Sequence, residues 1–404
     1  MRINDLILVN IGPFRKAELE FIADESELES PPVIVITGEN GTGKSIVLDA
    51  IRTLFMGPFR NVERDIVASE PFQLEGNITL NSQRFKVTAT TKKKEYIEFT
   101  QTSISSLFVN HLDHKYERNF IFDYWTSKLA DDSFEIPSIS ALDPDTYLDN
   151  ALEGIQQNVV VSKMITFLDY LKDSKDKTER VLGNYLYSLV EKIFEISLVD
   201  GKLSHVSRTS LKPIVRIREK ELTLDKLSSG NLYLVQRYMS LLKQVYSISI
   251  LNNLEISDYK NIKGVLLIDE AENHLHPKWQ KVLIRNILEL FPKLQIIVTT
   301  HSPFIVSSIP NSRVFVCQSL DNSSIIVEET DIYSNKPSEE ILMSPLFNTS
   351  NFNSEISGLL KERKQAAIEN NAAEVSRIEG LLLEINPEYF NYLNIESLLK
   401  SINK

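Results

Sequence analysis

The sequence holds very little sulfur and no covalent staple. Cys317 is the one cysteine among 404 residues, which excludes an intrachain disulfide and a cysteine-built zinc site and suits a reducing compartment. Long apolar runs are missing too. None approaches the roughly 18 residues that a membrane-crossing helix needs, and the opening Met1-Arg2-Ile3-Asn4-Asp5-Leu6 is too polar to begin a secretion signal. A cytoplasmic location is expected. Positive charge is in deficit, with 44 Lys and Arg against 55 Asp and Glu and a net charge of −11. That argues against an overall basic nucleic-acid module, while leaving room for a local basic face. No heptad pattern lasts long enough for a long coiled coil. What is present is ordinary globular composition, 42% hydrophobic and 25% charged. At about 150 residues per domain the length suggests two or three domains.

Hydrophobic patterning predicts an α/β protein with a mainly parallel core sheet flanked by helices. Leu6 to Val9 and Ala17 to Phe21 read as strands, and Val33-Ile34-Val35-Ile36 is a continuous apolar run of the kind buried on both faces. Ser45 to Phe55 carries apolar residues at helical spacing, and short alternating runs near 77–80, 84–89 and 96–100 suggest a meander. Residues 105–200 read as helical, with helices over 147–155, 161–171 and 178–196. In the last of these Val181, Leu182, Tyr185, Leu189 and Ile193 are expected to form the apolar face. Strand patterning returns over 214–224, a helix follows over 232–245, and a strand, helix, strand succession covers 264–268, 278–291 and 295–299. Two amphipathic helices close the chain before Pro387. The expected division is a β-rich N-terminal part over 1–104, a helical insert over 105–200, a second part of the same head over 201–335, and a helical tail over 336–404.

Four motifs carry chemistry. Gly38-Glu39-Asn40-Gly41-Thr42-Gly43-Lys44-Ser45 follows a buried strand and opens a helix, as a phosphate-binding loop requires. Backbone N–H groups from Asn40 to Ser45 would cradle the phosphates of a nucleoside triphosphate, Lys44 would reach the β- and γ-phosphates, and Ser45 would ligate Mg²⁺. Val265-Leu266-Leu267-Ile268-Asp269-Glu270 is an apolar strand ending in two carboxylates. Asp269 would complete the Mg²⁺ shell and Glu270 would polarise the attacking water. His301 ends another apolar strand, where a neutral imidazole could hydrogen-bond a γ-phosphate. Leu227-Ser228-Ser229-Gly230 precedes a helix and offers hydroxyls and free N–H groups to an anion, although an N-cap would look the same.

The order of these motifs resembles the ATP-binding cassette superfamily, over residues 1 to about 310. The resemblance implies that Ser228, Ser229 and Gly230 act across a head-to-tail ATP sandwich of two copies, with Glu270 as catalytic base and His301 as switch histidine. Ser229 stands where the family has glycine, and Asn231 where many transporters carry Gln. Lys44 and Ser228 are much farther apart than in transporter subunits. The segments Asn10-Ile11-Gly12-Pro13-Phe14-Arg15 and Glu270-Ala271-Glu272-Asn273-His274-Leu275-His276-Pro277 look like the SMC/RecF/OLD branch. In that branch Phe14 and Arg15 would approach the adenine, a stacked arginine supplying a cation–π contact. Gln73 or Gln83 is a candidate for the glutamine that couples Mg²⁺ to lobe movement, although an ordinary surface glutamine is the preferred reading of either. The pair His274 and His276 matches a loop that contacts the opposite subunit, a reading preferred to a metal site.

The tail resembles that of ATPase subunits of anti-phage defence systems such as Septu, with PARIS as the alternative. The implied partner is a separately encoded nuclease, HNH or Toprim, docked on the tail and insert. Some of Leu359, Leu360, Leu381 and Leu382 are then expected to supply exposed apolar surface; the alternative is a helix pair that packs on the core or on a second copy. No strand-borne Glu with Asp-x-Asp follows His301, so a nuclease within the chain is not expected. The competing readings are a repair or recombination ATPase of the SMC/RecF kind acting directly on DNA, through Lys92-Lys93-Lys94 or Arg216 and Arg218, and a scaffold that binds ATP structurally.

Overall fold

A computed structural model describes residues 1–56, 66–93, 96–99, 118–144, 148, 154, 157–347 and 352–392. The chain forms two compact units, Met1–Ile341 and Leu342–Lys404. The larger is built on an eleven-stranded mixed sheet. At one end β1 (Arg2–Ile11), β2 (Phe14–Glu20), β4 (Gln73–Leu80), β5 (Gln83–Lys93) and β6 (Tyr96–Phe99) pair antiparallel as the expected β-rich part. At the other, β13 (Arg313–Leu320), β3 (Ile34–Gly38), β12 (Leu294–Thr299), β11 (Gly264–Ile268) and β7 (Ile121–Trp125) run parallel in that order. Strand β14 (Ser323–Glu328) pairs antiparallel with β13 and joins the halves through a single pairing, Ser324 with Phe14. All residues of β3, β7, β11 and β12 are buried, as expected for parallel strands covered on both faces. Their C-terminal ends share one edge, the edge at which open α/β sheets bind ligands.

Helix α1 (Lys44–Met56) follows β3 and buries Val47, Leu48, Ile51, Leu54 and Phe55. Helices α2 (Asn158–Leu171), α3 (Lys177–Ser197) and α4 (Ser229–Leu251) pack on one another beside a small antiparallel sheet of β8 (Gly201–Ser207), β9 (Lys212–Ile217) and β10 (Lys220–Thr223). Most of the helix expected over 147–155 lies outside the described residues.

Two expectations need correction here. The stretch 105–200 is not wholly helical, because Ile121–Trp125 enters the main sheet beside β11. Its central Asp123 breaks the apolar run in sequence. In the structure that carboxylate is buried and accepts hydrogen bonds from Trp125 Nε1 (3.2 Å), the Tyr124 N–H (3.0 Å) and the Ser240 hydroxyl. Burial raises its pKa above the usual carboxylate value. In α3 the buried face is Leu186, Tyr187, Val190, Ile193 and Phe194, while Val181 is 50% exposed. The helix rotates this way because Gly183 sits directly on the Leu171–Lys172 backbone at the end of α2, where a larger residue would not fit.

The smaller unit contains two helices, Ser354–Ile368 and Ala372–Ile385. Ile356, Ile378, Leu382 and Phe390 form its core, with Leu359 and Leu360 packed against them. Leu382 is fully buried, so it offers no docking surface. The exposed large side chains of this unit include Ile368, Ile385, Tyr389 and Tyr392. Arg363 and Glu379 tie the two helices together at 2.6 Å.

Candidate active site

The loop after β3 is shaped by its glycines. Gly38 has φ 139° and Gly43 φ 98°, in the region that disfavours any Cβ. At Gly43 a Cβ would also lie 2.6 Å from Pro13 Cγ and 2.7 Å from Phe14 Cζ, and at Gly38 it would collide with the Cys317 carbonyl. The loop is thus pressed onto β13 and the β1–β2 turn, and Asn40 and Gly41 are left exposed. Lys44 is buried and donates to the carbonyls of Gly38 (3.1 Å) and Glu39 (2.7 Å). An ammonium has three N–H donors, so one remains for a ligand oxygen. Burial holds the Lys44 pKa below its ordinary value.

Strand β11 delivers Asp269 to the same edge. The Ser45 hydroxyl donates to Asp269 Oδ1 at 2.8 Å, joining loop and acid strand across 224 residues of sequence. Thr299, at the end of β12, donates to the same oxygen at 2.6 Å, and Tyr124 Oη lies 3.5 Å from the other. A hydroxyl and a carboxylate side by side are hard oxygen donors of the kind Mg²⁺ takes alongside phosphate oxygens and water. The residues therefore fit a Mg²⁺–nucleotide site.

Glu270 turns away from its strand with φ 50°, a conformation rare for a residue with a side chain. Its N–H donates to Thr299 Oγ1 (2.8 Å), and the next N–H, of Ala271, to the Thr299 carbonyl (3.1 Å). The Asn273 amide donates to Glu270 Oε2 at 2.6 Å. His301 stands at the end of β12, half-buried. Burial first, and the nearby Lys44 second, lower its pKa, so the imidazole is neutral at pH 7.

Ser228 and Ser229 are exposed, and Ser228 caps α4 by accepting from the Asn231 N–H. Among the described residues no hydrogen bond links Ser228, Ser229 or Gly230 to the phosphate loop. A side chain at Gly230 would strike the His274 carbonyl, so the start of α4 lies backbone to backbone against the loop after β11.

The remaining candidates are dispersed. Phe14 is buried beneath the phosphate loop, so of the adenine pair only Arg15 faces solvent. Gln73 begins β4 and donates to Glu75 at 2.9 Å, whereas Gln83 is exposed at the start of β5. His274 Nε2 lies 2.7 Å from the Ser127 carbonyl, and His276 caps a short helix, α5 (Pro277–Gln280). No metal-binding group of three ligating side chains occurs among the described residues. Arg216 pairs with Glu221 (2.9 Å) and Arg218 with Asp200 (3.9 Å), while Lys94 lies outside the described residues. Sequence reasoning missed Tyr124, Asn273, Glu272 and the two threonines 299 and 300. A hydroxyl pair closing an apolar strand beside the acid strand was the available signal.

A family model described as "AAA domain, putative AbiEii toxin, Type IV TA system" matches residues 33–307. The chain is 25% identical to Septu protein PtuA of Bacillus thuringiensis over 76% of its own length and 73% of the relative's. It is 24% identical to the Retron Vc95 probable ATPase of Vibrio cholerae over 36% of its length, spanning 26% of that relative. Among solved structures it is similar to the SMC head domain from Thermotoga maritima, with TM-score 0.44, 15% identity, and coverage of 81% of this chain and 99% of that one. No helix of the described residues is long and apolar enough to cross a membrane. With the family model spanning more than half of its residues, from β3 through the loop bearing His301, the chain belongs to this AAA family of ATPases.

Proposed function

We propose that the chain is an ATP-driven switch in bacterial anti-phage defence. Two copies close head to tail around ATP, hydrolysis releases them, and a separately encoded nuclease, HNH or Toprim, is held or freed by the movement. The observation that carries this reading is the position of Ser228 and Ser229, exposed at the start of α4 and unconnected by any described hydrogen bond to the loop of Lys44. Hydroxyls and N–H groups at a long helix's N-terminus suit an anion, and a nucleotide held by a second copy would supply it. The likeness to Septu protein PtuA supports the defence setting.

In this reading the backbone from Asn40 to Ser45 and the Lys44 ammonium bind the phosphates, and Arg15 lies along the adenine. Ser45 and Asp269 hold Mg²⁺, which when bound neutralises charge on the phosphate oxygens. Glu270 would take a proton from water while the water oxygen bonds to the γ-phosphorus and the bond from that phosphorus to the bridging oxygen breaks, giving ADP and inorganic phosphate. His301, neutral, donates a hydrogen bond to the γ-phosphate. With a split head, an insert over 105–200 and a tail from 336, the helices of the insert and of the tail are the surfaces offered to the partner. Direct action on DNA is the second reading; Arg216 and Arg218 each have an acid beside them, Glu221 and Asp200, which offsets the positive charge they present.

Glu270→Gln tests the reading, because it removes the base and keeps the shape. With ATP and Mg²⁺ the variant should double in mass by light scattering, and adding Ser229→Arg should return it to the mass seen without nucleotide. A Glu270→Gln protein whose mass does not respond to ATP refutes the sandwich.

A further inference from the structure

Three acids follow β11 in close succession, and the third has no part in the chemistry described so far. Glu272 is partly buried, and its two carboxylate oxygens cross to the neighbouring loop. Oε1 accepts from the His301 N–H at 2.7 Å, and Oε2 from the Thr300 hydroxyl at 2.6 Å. The network continues from there. Thr300 Oγ1 accepts from the Ser302 N–H (2.9 Å), and the Ser302 hydroxyl donates to Gln280 Oε1 (2.6 Å). The Gln280 amide returns to the Leu275 carbonyl (2.7 Å), three residues beyond Glu272. The ring thus leaves the loop after β11, crosses to the loop after β12, and closes on the first loop again.

We propose that Glu272 is a positioning residue for ATP hydrolysis, acting by fixing the main chain of His301 relative to the loop that carries Glu270. The physical case lies in what else holds His301. Its imidazole makes no hydrogen bond among the described residues, so where the ring can reach depends on where the backbone carries its Cβ. That backbone lies just past the end of β12, where the sheet ladder no longer constrains it: Thr299 is the last residue of the strand. The Thr300 N–H bonds to the Ile36 carbonyl at 3.1 Å, and from the next residue Glu272 takes over. A carboxylate suits the task because it only accepts and both incoming groups are donors. Charge-assisted bonds at two oxygens also define a direction, which one bond does not. A short hydroxyl side chain could reach one donor but not both.

The inference rests on the reading that His301 acts at the γ-phosphate, and a double-mutant cycle keeps the two apart. Steady-state ATP turnover is measured for the full-length protein and for Glu272→Ala, Glu272→Gln, His301→Ala and the Glu272→Ala/His301→Ala pair. Binding of a fluorescent ATP analogue and the thermal midpoint are measured alongside. Glu272→Ala should lower kcat about tenfold or more while KM and analogue Kd stay within about threefold, as expected when a reacting group is misplaced and not lost. Glu272→Gln, which keeps an acceptor for the His301 N–H, should recover most of that loss. In the His301→Ala background Glu272→Ala should cost nothing further. An additive loss in the double variant, or a kcat for Glu272→Ala within twofold of the parent, overturns the positioning role. Normal turnover in His301→Ala overturns the underlying reading instead. Should Glu272→Ala fail to fold, Thr300→Val removes one of the two bonds, and it too must lower kcat only where His301 is present.

Discussion

Thr299 connects the Asp269 carboxylate to the main chain of Glu270, and replacing it with valine tests the site's construction. Its hydroxyl donates to Asp269 Oδ1 at 2.6 Å and accepts from the Glu270 N–H at 2.8 Å, and the residue is fully buried. Valine matches the shape and removes only the hydroxyl. Losing a hydrogen bond to a charged acceptor costs about 1.5–3 kcal/mol, and leaving a buried N–H unpaired about 1–3 kcal/mol. Glu270 is only half-buried, so water can reach part of the vacated site, and a combined loss of about 2–4 kcal/mol is expected. The effect on catalysis has a separate origin. Glu270 occupies a left-handed conformation that costs about 1–3 kcal/mol unless its surroundings enforce it. Without the Thr299 acceptor that backbone relaxes and carries the carboxylate away, lowering kcat about ten- to a hundredfold. Urea unfolding followed by tryptophan fluorescence measures the first effect, because both tryptophans, Trp125 and Trp279, lie in the larger unit. Thr299→Ser should restore most of the stability and turnover. A Thr299→Val protein within about 0.5 kcal/mol of the parent, the range of ordinary surface changes, with unchanged turnover would refute the construction.

Three further outcomes are expected. Since the folded His301 imidazole titrates below its ordinary value near 6.5, between those two values the unfolded chain binds more protons and stability rises with pH. Relative to His301→Gln, the parent should therefore lose urea resistance between pH 7.5 and 5.5; an unchanged difference contradicts this. The purified protein should not nick plasmid DNA with any divalent metal, and metal-dependent nicking that persists in Lys44→Ala would defeat that expectation. Truncation after Asn353 removes the described core of the smaller unit, which has its own buried cluster of Ile356, Ile378, Leu382 and Phe390. It should spare ATP turnover while abolishing co-purification with the proposed partner nuclease, whereas loss of ATP binding would make the tail structural.

Where the physics is local, the sequence pattern and the structure agree. The strand Ile34–Gly38, the glycine-rich loop and the helix Lys44–Met56 are contiguous, so their succession is legible without any tertiary information. The same holds for β11, whose five buried residues form an unbroken apolar run ending at the acids. Strand β7 failed that test because of Asp123, a charge whose partner Ser240 lies 117 residues away. Leu382 failed it in reverse. A leucine on an amphipathic pair reads the same whether it faces a partner or its own hairpin, and contact with Phe390 and Ile378 decides the matter only in three dimensions. The face of α3 was misread because tyrosine and valine satisfy the helical period on two overlapping stripes. A glycine contact with the end of α2 selects between them.

The site also has to keep three carboxylates, Asp269, Glu270 and Glu272, within four residues and beside one buried lysine. Like charges so placed repel, and the obvious remedy would be to pair them with Lys44. The structure does otherwise. Asp269 accepts from the hydroxyls of Ser45 and Thr299, Glu270 from the Asn273 amide, and Glu272 from the Thr300 hydroxyl and the His301 N–H. Every one of these donors is neutral. Lys44 is meanwhile held by two carbonyls of its own loop, at 3.1 and 2.7 Å. Neutral donors fix each carboxylate in direction without cancelling its charge, and the ammonium keeps its own charge for an anion. A phosphate chain entering the loop would therefore meet a cation not engaged in a salt bridge with these acids, next to acids already oriented. Pairing Lys44 with Asp269 would have made the empty site more stable and the occupied one weaker. The hydroxyls at positions 299 and 300 help to separate those two outcomes, so removing either should affect turnover more than nucleotide affinity, whereas removing that of Ser45 should also weaken binding of the Mg²⁺–nucleotide.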